Sequence, residues 1–91
     1  MPRVLESDQL FDRQDGQLRG SDQLLRLRQT GERAMITYKG PSRRERHKSR
    51  EEIEFNVSDA AAVTKVLDRL GYLPRFRYEK YRTTFAIESE P

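Results

Sequence analysis

Residues able to do chemistry recur two apart in this chain. Arg26 and Arg28 flank Leu27, Glu52 and Glu54 flank Ile53, and Lys80 and Arg82 flank Tyr81. In an extended strand alternate side chains share a face, so each pair points one way. Arginine offers a planar fork of donors that suits phosphate oxygens. Paired carboxylates are hard oxygen ligands for Mg²⁺ or Mn²⁺. Taken singly, each pair is better explained by a solvated stripe on an amphipathic sheet. Their coincidence in one small chain points to a sheet whose polar faces turn inward around a metal-bound polyphosphate.

The segments that must position these groups follow from the same alternation. Leu24–Gln29 sets Arg26 and Arg28 against Leu25 and Leu27, and Arg50–Val57 sets Arg50, Glu52 and Glu54 against Ile53, Phe55 and Val57. Ala34–Lys39 ends with Thr37 and Lys39 on one face. Tyr78–Glu88 places Lys80, Arg82 and Thr84 opposite Tyr81, Phe85 and Ile87. Asp8–Asp12 reads as a strand leaving through Arg13-Gln14-Asp15-Gly16, where Asp-Gly is a turn signal. Thr30-Gly31-Glu32 joins two adjacent antiparallel strands, and Gly40-Pro41-Ser42 ends the second, since Pro41 cannot donate to a ladder. The helix expected is 58–70: Ser58 is read as its N-cap, Val63, Val66, Leu67 and Leu70 recur on one face, and Gly71 stops it.

Composition bounds the answer. A chain of 91 residues allows one domain with a modest core, burying about 60–65% of its unfolded surface. Hydrophobic residues make up 34% and charged residues 36%, so only clustering of the apolar residues at strand or helix spacing keeps the chain globular. Without cysteine, the chemistry must come from carboxylates, cations and hydroxyls. No signal-like apolar run opens the chain and no stretch approaches the ~20 apolar residues of a membrane span, so a cytoplasmic protein is expected. Net charge is +3, which permits anion binding. The densest basic run, Arg43–Lys48, lacks interleaved aromatics and contains Glu45, which argues against nucleic acid. A Ser-His-Asp relay would have to pass through His47, the single histidine. Tyr38, Tyr72, Tyr78 and Tyr81 are expected in walls or core. No glycine-rich phosphate loop is present.

The succession Asp8-Gln9-Leu10-Phe11-Asp12, Leu25-Arg26-Leu27-Arg28, Thr37-Tyr38-Lys39-Gly40-Pro41, Arg50-Glu51-Glu52-Ile53-Glu54, Leu70-Gly71-Tyr72 and Lys80-Tyr81-Arg82 resembles the CYTH family. That family contains class IV adenylyl cyclases and thiamine triphosphatases and belongs to the triphosphate tunnel metalloenzymes. The resemblance implies an α+β fold, an antiparallel β tunnel barrel with inward charges. It further implies that Arg26, Arg28, Lys39, Lys80 and Arg82, with Arg50 as a further candidate, bind a triphosphate. Glu52 and Glu54 are implied to contribute to binding Mg²⁺ or Mn²⁺.

The family's Glu-x-Glu-x-Lys strand has no match in Met1–Ser7, and relatives continue past the position of Pro91. The match is thus to the centre of a CYTH domain, with a barrel incomplete in this chain or completed by a homo-oligomer. Two function classes follow. One is metal-dependent processing of triphosphate-containing substrates, by hydrolysis or adenylyl cyclase type chemistry. The other is a non-catalytic polyphosphate or nucleotide-binding module.

Overall fold

A computed structural model describes residues 3–42 and 50–83. The basic run Arg43–Lys48, His47 within it, and the residues from Thr84 onward lie outside the described set. Strand β1 (Arg3–Asp12) leads through a short helix α1 (Gln17–Gly20) to β2 (Leu24–Thr30) and β3 (Arg33–Lys39). Then come β4 (Glu52–Val57), helix α2 (Ala60–Arg69) and β5 (Leu73–Thr83). The five strands form one antiparallel sheet in the order β4-β3-β2-β1-β5. Its ends, β4 and β5, are not paired with each other among the described residues. The fold is therefore α+β with an open, incomplete barrel sheet, and no helix among the described residues is long and apolar enough to cross a membrane.

One sheet face carries the core. Phe11, Leu27, Ala34 and Ile36 are buried, and Leu25, Val57, Ala60, Val63, Leu67 and Tyr72 pack against them. The α2 stripe of Val63 and Leu67 thus covers odd-face residues of β1 and β2 and their neighbours on β3, burying the apolar half of the alternation. Val66 and Leu70, expected on the same face, are more than half exposed.

Helix α2 starts one residue later than Ser58 predicts. Asp59 is the N-cap, its carboxylate accepting the Ala62 N–H at 3.0 Å. A carboxylate is the stronger acceptor and also suits the positive helix end, so the cap falls on the acid. At the other end Gly71 takes a left-handed φ of 92°. Its N–H reaches Asp68 O, and Tyr72 N–H reaches Leu67 O, while Tyr72 and Leu67 both join the core. This is a Schellman stop, which needs a residue tolerant of positive φ.

Strand β1 begins at Arg3, well before the expected Asp8, and β4 begins at Glu52, after the expected Arg50. Helix α1 was not expected. It is held by Asp12, whose carboxylate accepts N–H groups of Arg13, Leu18 and Arg19 at 2.7–3.1 Å. Pro74 is tolerated in β5 because β5 is an edge strand among the described residues and the register with β1 shifts between Leu10 and Phe11 beside it.

Candidate functional site

The face opposite the core gathers the charged residues in rows that run across the strands. One row is Glu54, Thr37, Arg26, Leu10 and Phe76; the next is Asn56, Met35, Arg28, Asp8 and Tyr78. To the sides lie Glu52 with Lys39, and Glu6 with Lys80. Directly opposed residues of neighbouring strands stand about 5 Å apart at Cβ, so these rows bring together side chains distant in sequence.

The polar contacts form two clusters. In the first, Arg28 donates through Nε to Asp8 Oδ1 at 2.8 Å and through Nη2 to Oδ2 at 3.0 Å, a bidentate fork. The same Nε stands 3.0 Å from Glu6 Oε2, and Lys80 Nζ approaches Glu6 Oε1 at 3.8 Å. Glu6 is only 2% exposed, so two cations meet a carboxylate removed from water. Hydrogen bonding from Arg28 holds the Asp8 carboxyl below the usual range, against the opposing effect of burial. The same bond raises the Arg28 guanidinium.

In the second cluster Thr37, fully buried, donates to Glu54 Oε2 at 2.9 Å and accepts from Arg26 Nη2 at 3.3 Å. Arg26 Nη2 lies 3.7 Å from the same Glu54 oxygen, and Lys39 Nζ lies 3.9 Å from Glu52 Oε2. Each of these cations, Arg26, Arg28, Lys39 and Lys80, therefore already has a carboxylate within 4 Å.

Of the residues singled out in the sequence, Arg26, Arg28, Lys39, Glu52, Glu54 and Lys80 share this face. Arg82 lies on β5 opposite Val4, and its side chain is outside the described set. Arg50 is directed elsewhere. Its Nε donates to Gly40 O at 2.7 Å, and its Nη2 donates to Asp22 O at 3.0 Å and lies 3.8 Å from Asp22 Oδ1. Asp22 has a left-handed φ of 61°, and its carboxylate also accepts Ser42 N–H. Arg50 thus ties the α1–β2 connection to the end of β3.

Glu6 and Asp8 belong to the face but escape the sequence reading as site residues. Their strand's other face carries Leu5, Ser7, Gln9 and Phe11. With polar Ser7 and Gln9 there, the apolar alternation that would have placed the acids was absent. Tyr72 packs on the core as expected and Tyr38 donates to Gln23 Oε1 at 2.7 Å, whereas Tyr78 and Tyr81 are more than half exposed.

Among the described residues no three acidic or histidine side chains converge as a metal site. Glu52 and Glu54 fit a narrower role. Both are about half exposed, and a Mg²⁺-like ion is commonly held by one or two carboxylates, waters and substrate phosphates rather than a closed protein cage.

The sequence pattern described as the CYTH domain matches residues 3–89. A Methanocaldococcus jannaschii protein named "Putative adenylate cyclase" is 33% identical over 70 residues, covering 77% of this chain and 40% of its own length. A solved structure of a putative adenylate cyclase from Vibrio parahaemolyticus aligns with a TM-score of 0.71 at 23% identity, over 88% of this chain and 44% of that one. A Pyrococcus horikoshii structure gives 0.67 at 28% identity, over 91% and 52%. The chain spans about half the length of these relatives or less. With the family pattern running along nearly all of it, the chain belongs to the CYTH domain family.

Proposed function

We propose that this chain forms part of a site that processes triphosphate-containing substrates with the help of a divalent metal. The observation that carries the reading is the pre-paired face, on which Arg26, Arg28, Lys39 and Lys80 each stand beside a carboxylate. A bare polyphosphate approaching it meets repulsion from Glu6, Asp8, Glu52 and Glu54 together with attraction from the cations. A polyphosphate carrying a divalent ion uses both signs, the ion answering the carboxylates and the cations answering the phosphate oxygens. Family membership agrees, since CYTH tunnel enzymes are generally metal-dependent.

Glu52 and Glu54 are the residues that would hold the metal, which when bound supplies Lewis-acid polarisation of a phosphoryl oxygen. Lys39 on the adjacent β3 and Arg26 one strand further, on β2, would grip the phosphates. Thr37 fixes Glu54 and Arg26 relative to one another. Arg28 is held rigidly by Asp8, an arrangement that keeps its remaining donors aimed without reorganisation. The chain supplies positioning and charge, so the attacking group, water or a ribose hydroxyl, decides between hydrolysis and cyclisation. Hydrolysis is the simpler demand because it needs only a positioned water.

The second reading is a polyphosphate or nucleotide-binding module without turnover. It is favoured by the engagement of Glu6 and Asp8 with Arg28, which leaves Glu52 and Glu54 as the acids open to a metal. The test is release of inorganic phosphate from tripolyphosphate, ATP and thiamine triphosphate, with and without Mg²⁺ or Mn²⁺, alongside the mass in solution. Metal-dependent release abolished in Glu54→Ala supports the enzyme. Binding without release, surviving Glu54→Ala but not Arg26→Ala, supports the module, and a dimeric mass would indicate a barrel completed between copies.

A further inference from the structure

Strand β4 is an edge without the usual guards. An edge strand presents unpaired N–H and C=O groups, and proteins blunt it with proline, lysine or charges on the inward side. The other edge of the described sheet, β5, carries Pro74, with Arg77 and Glu79 on its core side and Lys80 on the opposite side. Strand β4 has no proline, and its charges, Glu52 and Glu54, lie on one face only. Its apolar face is covered at one end, where Val57 packs against the core, whereas Ile53 is 46% and Phe55 54% exposed.

The backbone ladder identifies the groups on offer. Gly40 N–H donates to Glu51 O at 2.8 Å, and the same register runs on from Lys39 opposite Glu52 to Ala34 opposite Val57. Bonded and non-bonded pairs alternate in an antiparallel ladder, so Ile53, Phe55 and Val57 direct their main-chain groups to β3. Glu52, Glu54 and Asn56 direct theirs outward, where no strand among the described residues receives them.

The strand that fits this edge is a second β4. Every pairing in the sheet is antiparallel, and two copies related by a two-fold axis bring β4 against β4 in that sense. Keeping the apolar sides together restricts the register to steps of two residues. Centring on Glu54 sets it against the partner's Glu54, and centring on Ile53 sets Glu52 against the partner's Glu54. Centring on Asn56 sets Ile53 against the partner's Asp59, the residue that caps α2. Centring on Phe55 avoids all three conflicts. Phe55 then faces the partner's Phe55, Ile53 faces the partner's Val57, and Glu54 faces the partner's Asn56. The outward groups of Glu54 exchange hydrogen bonds with the partner's Asn56, and the two Phe55 rings fall at a non-bonded position, where cross-strand side chains stand closest. Within each copy Arg26 and Lys39 already lie beside Glu54 and Glu52, which lessens repulsion between acids on the diagonal.

We propose that two copies of this chain associate through β4, antiparallel and centred on Phe55, so that the sheet continues across the interface. Such a seam is what a barrel completed between copies requires, and it stands independently of the triphosphate reading. A single strand pair is a small interface, so dissociation in the micromolar range is expected. The first test is sedimentation of the full chain over a concentration series, with Asn56→Pro beside it. Because Asn56 N–H faces away from β3, proline there leaves the chain's own ladder intact, which the melting temperature checks. The substitution removes one intermolecular hydrogen bond from each copy, and dimerisation should weaken about tenfold or more. The register is read with single cysteines in a chain that has none. Phe55→Cys meets its counterpart at a Cα separation of about 4.5 Å, within disulfide reach, and should give a covalent dimer under mild oxidation. Ile53→Cys is displaced from its counterpart by about 13 Å along the strand and should not. A monomer at every concentration, a dimer indifferent to Asn56→Pro, or equal cross-linking of the two cysteine variants would overturn the proposal.

Discussion

Arg26 and Arg28 look equivalent by spacing but differ in what surrounds them. Arg28 neutralises Asp8 and the buried Glu6, so its removal leaves two carboxylates without their main cation. Arg28→Ala should cost about 2–3 kcal/mol in denaturant unfolding, below the ~3–5 of a fully buried pair because Arg28 retains some solvent. Arg26 faces the half-exposed Glu54 through Thr37. Although Arg26 is 17% exposed against 29% for Arg28, it holds one half-exposed carboxylate rather than a buried one, so Arg26→Ala should cost about 1–2 kcal/mol, less than Arg28→Ala, while lowering tripolyphosphate affinity, which makes it the cleaner probe of binding. A large loss of stability in Arg26→Ala would contradict this division.

Two carboxyls also link folding to pH. Asp8 is held below the ordinary carboxylate range first by the Arg28 hydrogen bond. At Asp12 burial pushes upward, and the N–H groups of Leu18, Arg19 and Arg13 outweigh it, so the net shift is again downward. A depressed folded-state value means that the unfolded chain takes up protons first as pH falls. The stabilisation is complete above the unfolded value of about 3.9 and drains away as pH drops through the folded values. Denaturant midpoints measured from neutral to strongly acidic pH should fall on the acid side. Asp12→Asn should be less stable at neutral pH and show a shallower acid decline.

At the scale of elements, the ends of α2 decide where the helix sits on the sheet. Asp59→Ala should cost about 1 kcal/mol, since the Ala62 N–H loses its acceptor. Ser58→Ala should be close to neutral, and thermal melts of the two variants compare the competing caps directly. Gly71→Ala should cost about 1 kcal/mol or more, because φ is 92° and a Cβ would meet the Arg13 guanidinium at 3.4–3.6 Å. Arg13 also donates to Leu70 O and lies 5.4 Å from the Tyr72 ring centre. A distorted stop would thus disturb the junction between α2 and the end of β1.

For the molecule as a whole, the sheet is one charged layer whose opposite signs are interleaved across strands. Arg26, Arg28, Lys39 and Lys80 each stand beside a carboxylate, so the net positive charge contributes less to anion binding than the sequence total suggests. The expected consequence is that tripolyphosphate binds weakly in the presence of a chelator and at least tenfold more tightly when Mg²⁺ is supplied. Calorimetry with and without the metal decides it, and equal affinity under both conditions would remove the argument from charge balance.

The sequence by itself determined the two faces of β2, β3 and β4, because apolar alternation at a period of two is a local property of the chain. It also determined the existence of α2, through the helical spacing of Val63, Val66, Leu67 and Leu70, and the family, through the order and spacing of Leu25–Arg28, Thr37–Pro41 and Glu52–Glu54. Only the tertiary structure decided that Asp8 and Glu6 stand against Arg28, that Arg50 turns away to Gly40 and Asp22, and that Phe76 continues the row of Arg26. Alternation states which side of a strand a residue occupies. Which strands become neighbours, and in what register, depends on hydrogen bonds between segments far apart in sequence, and those are settled only when the sheet assembles.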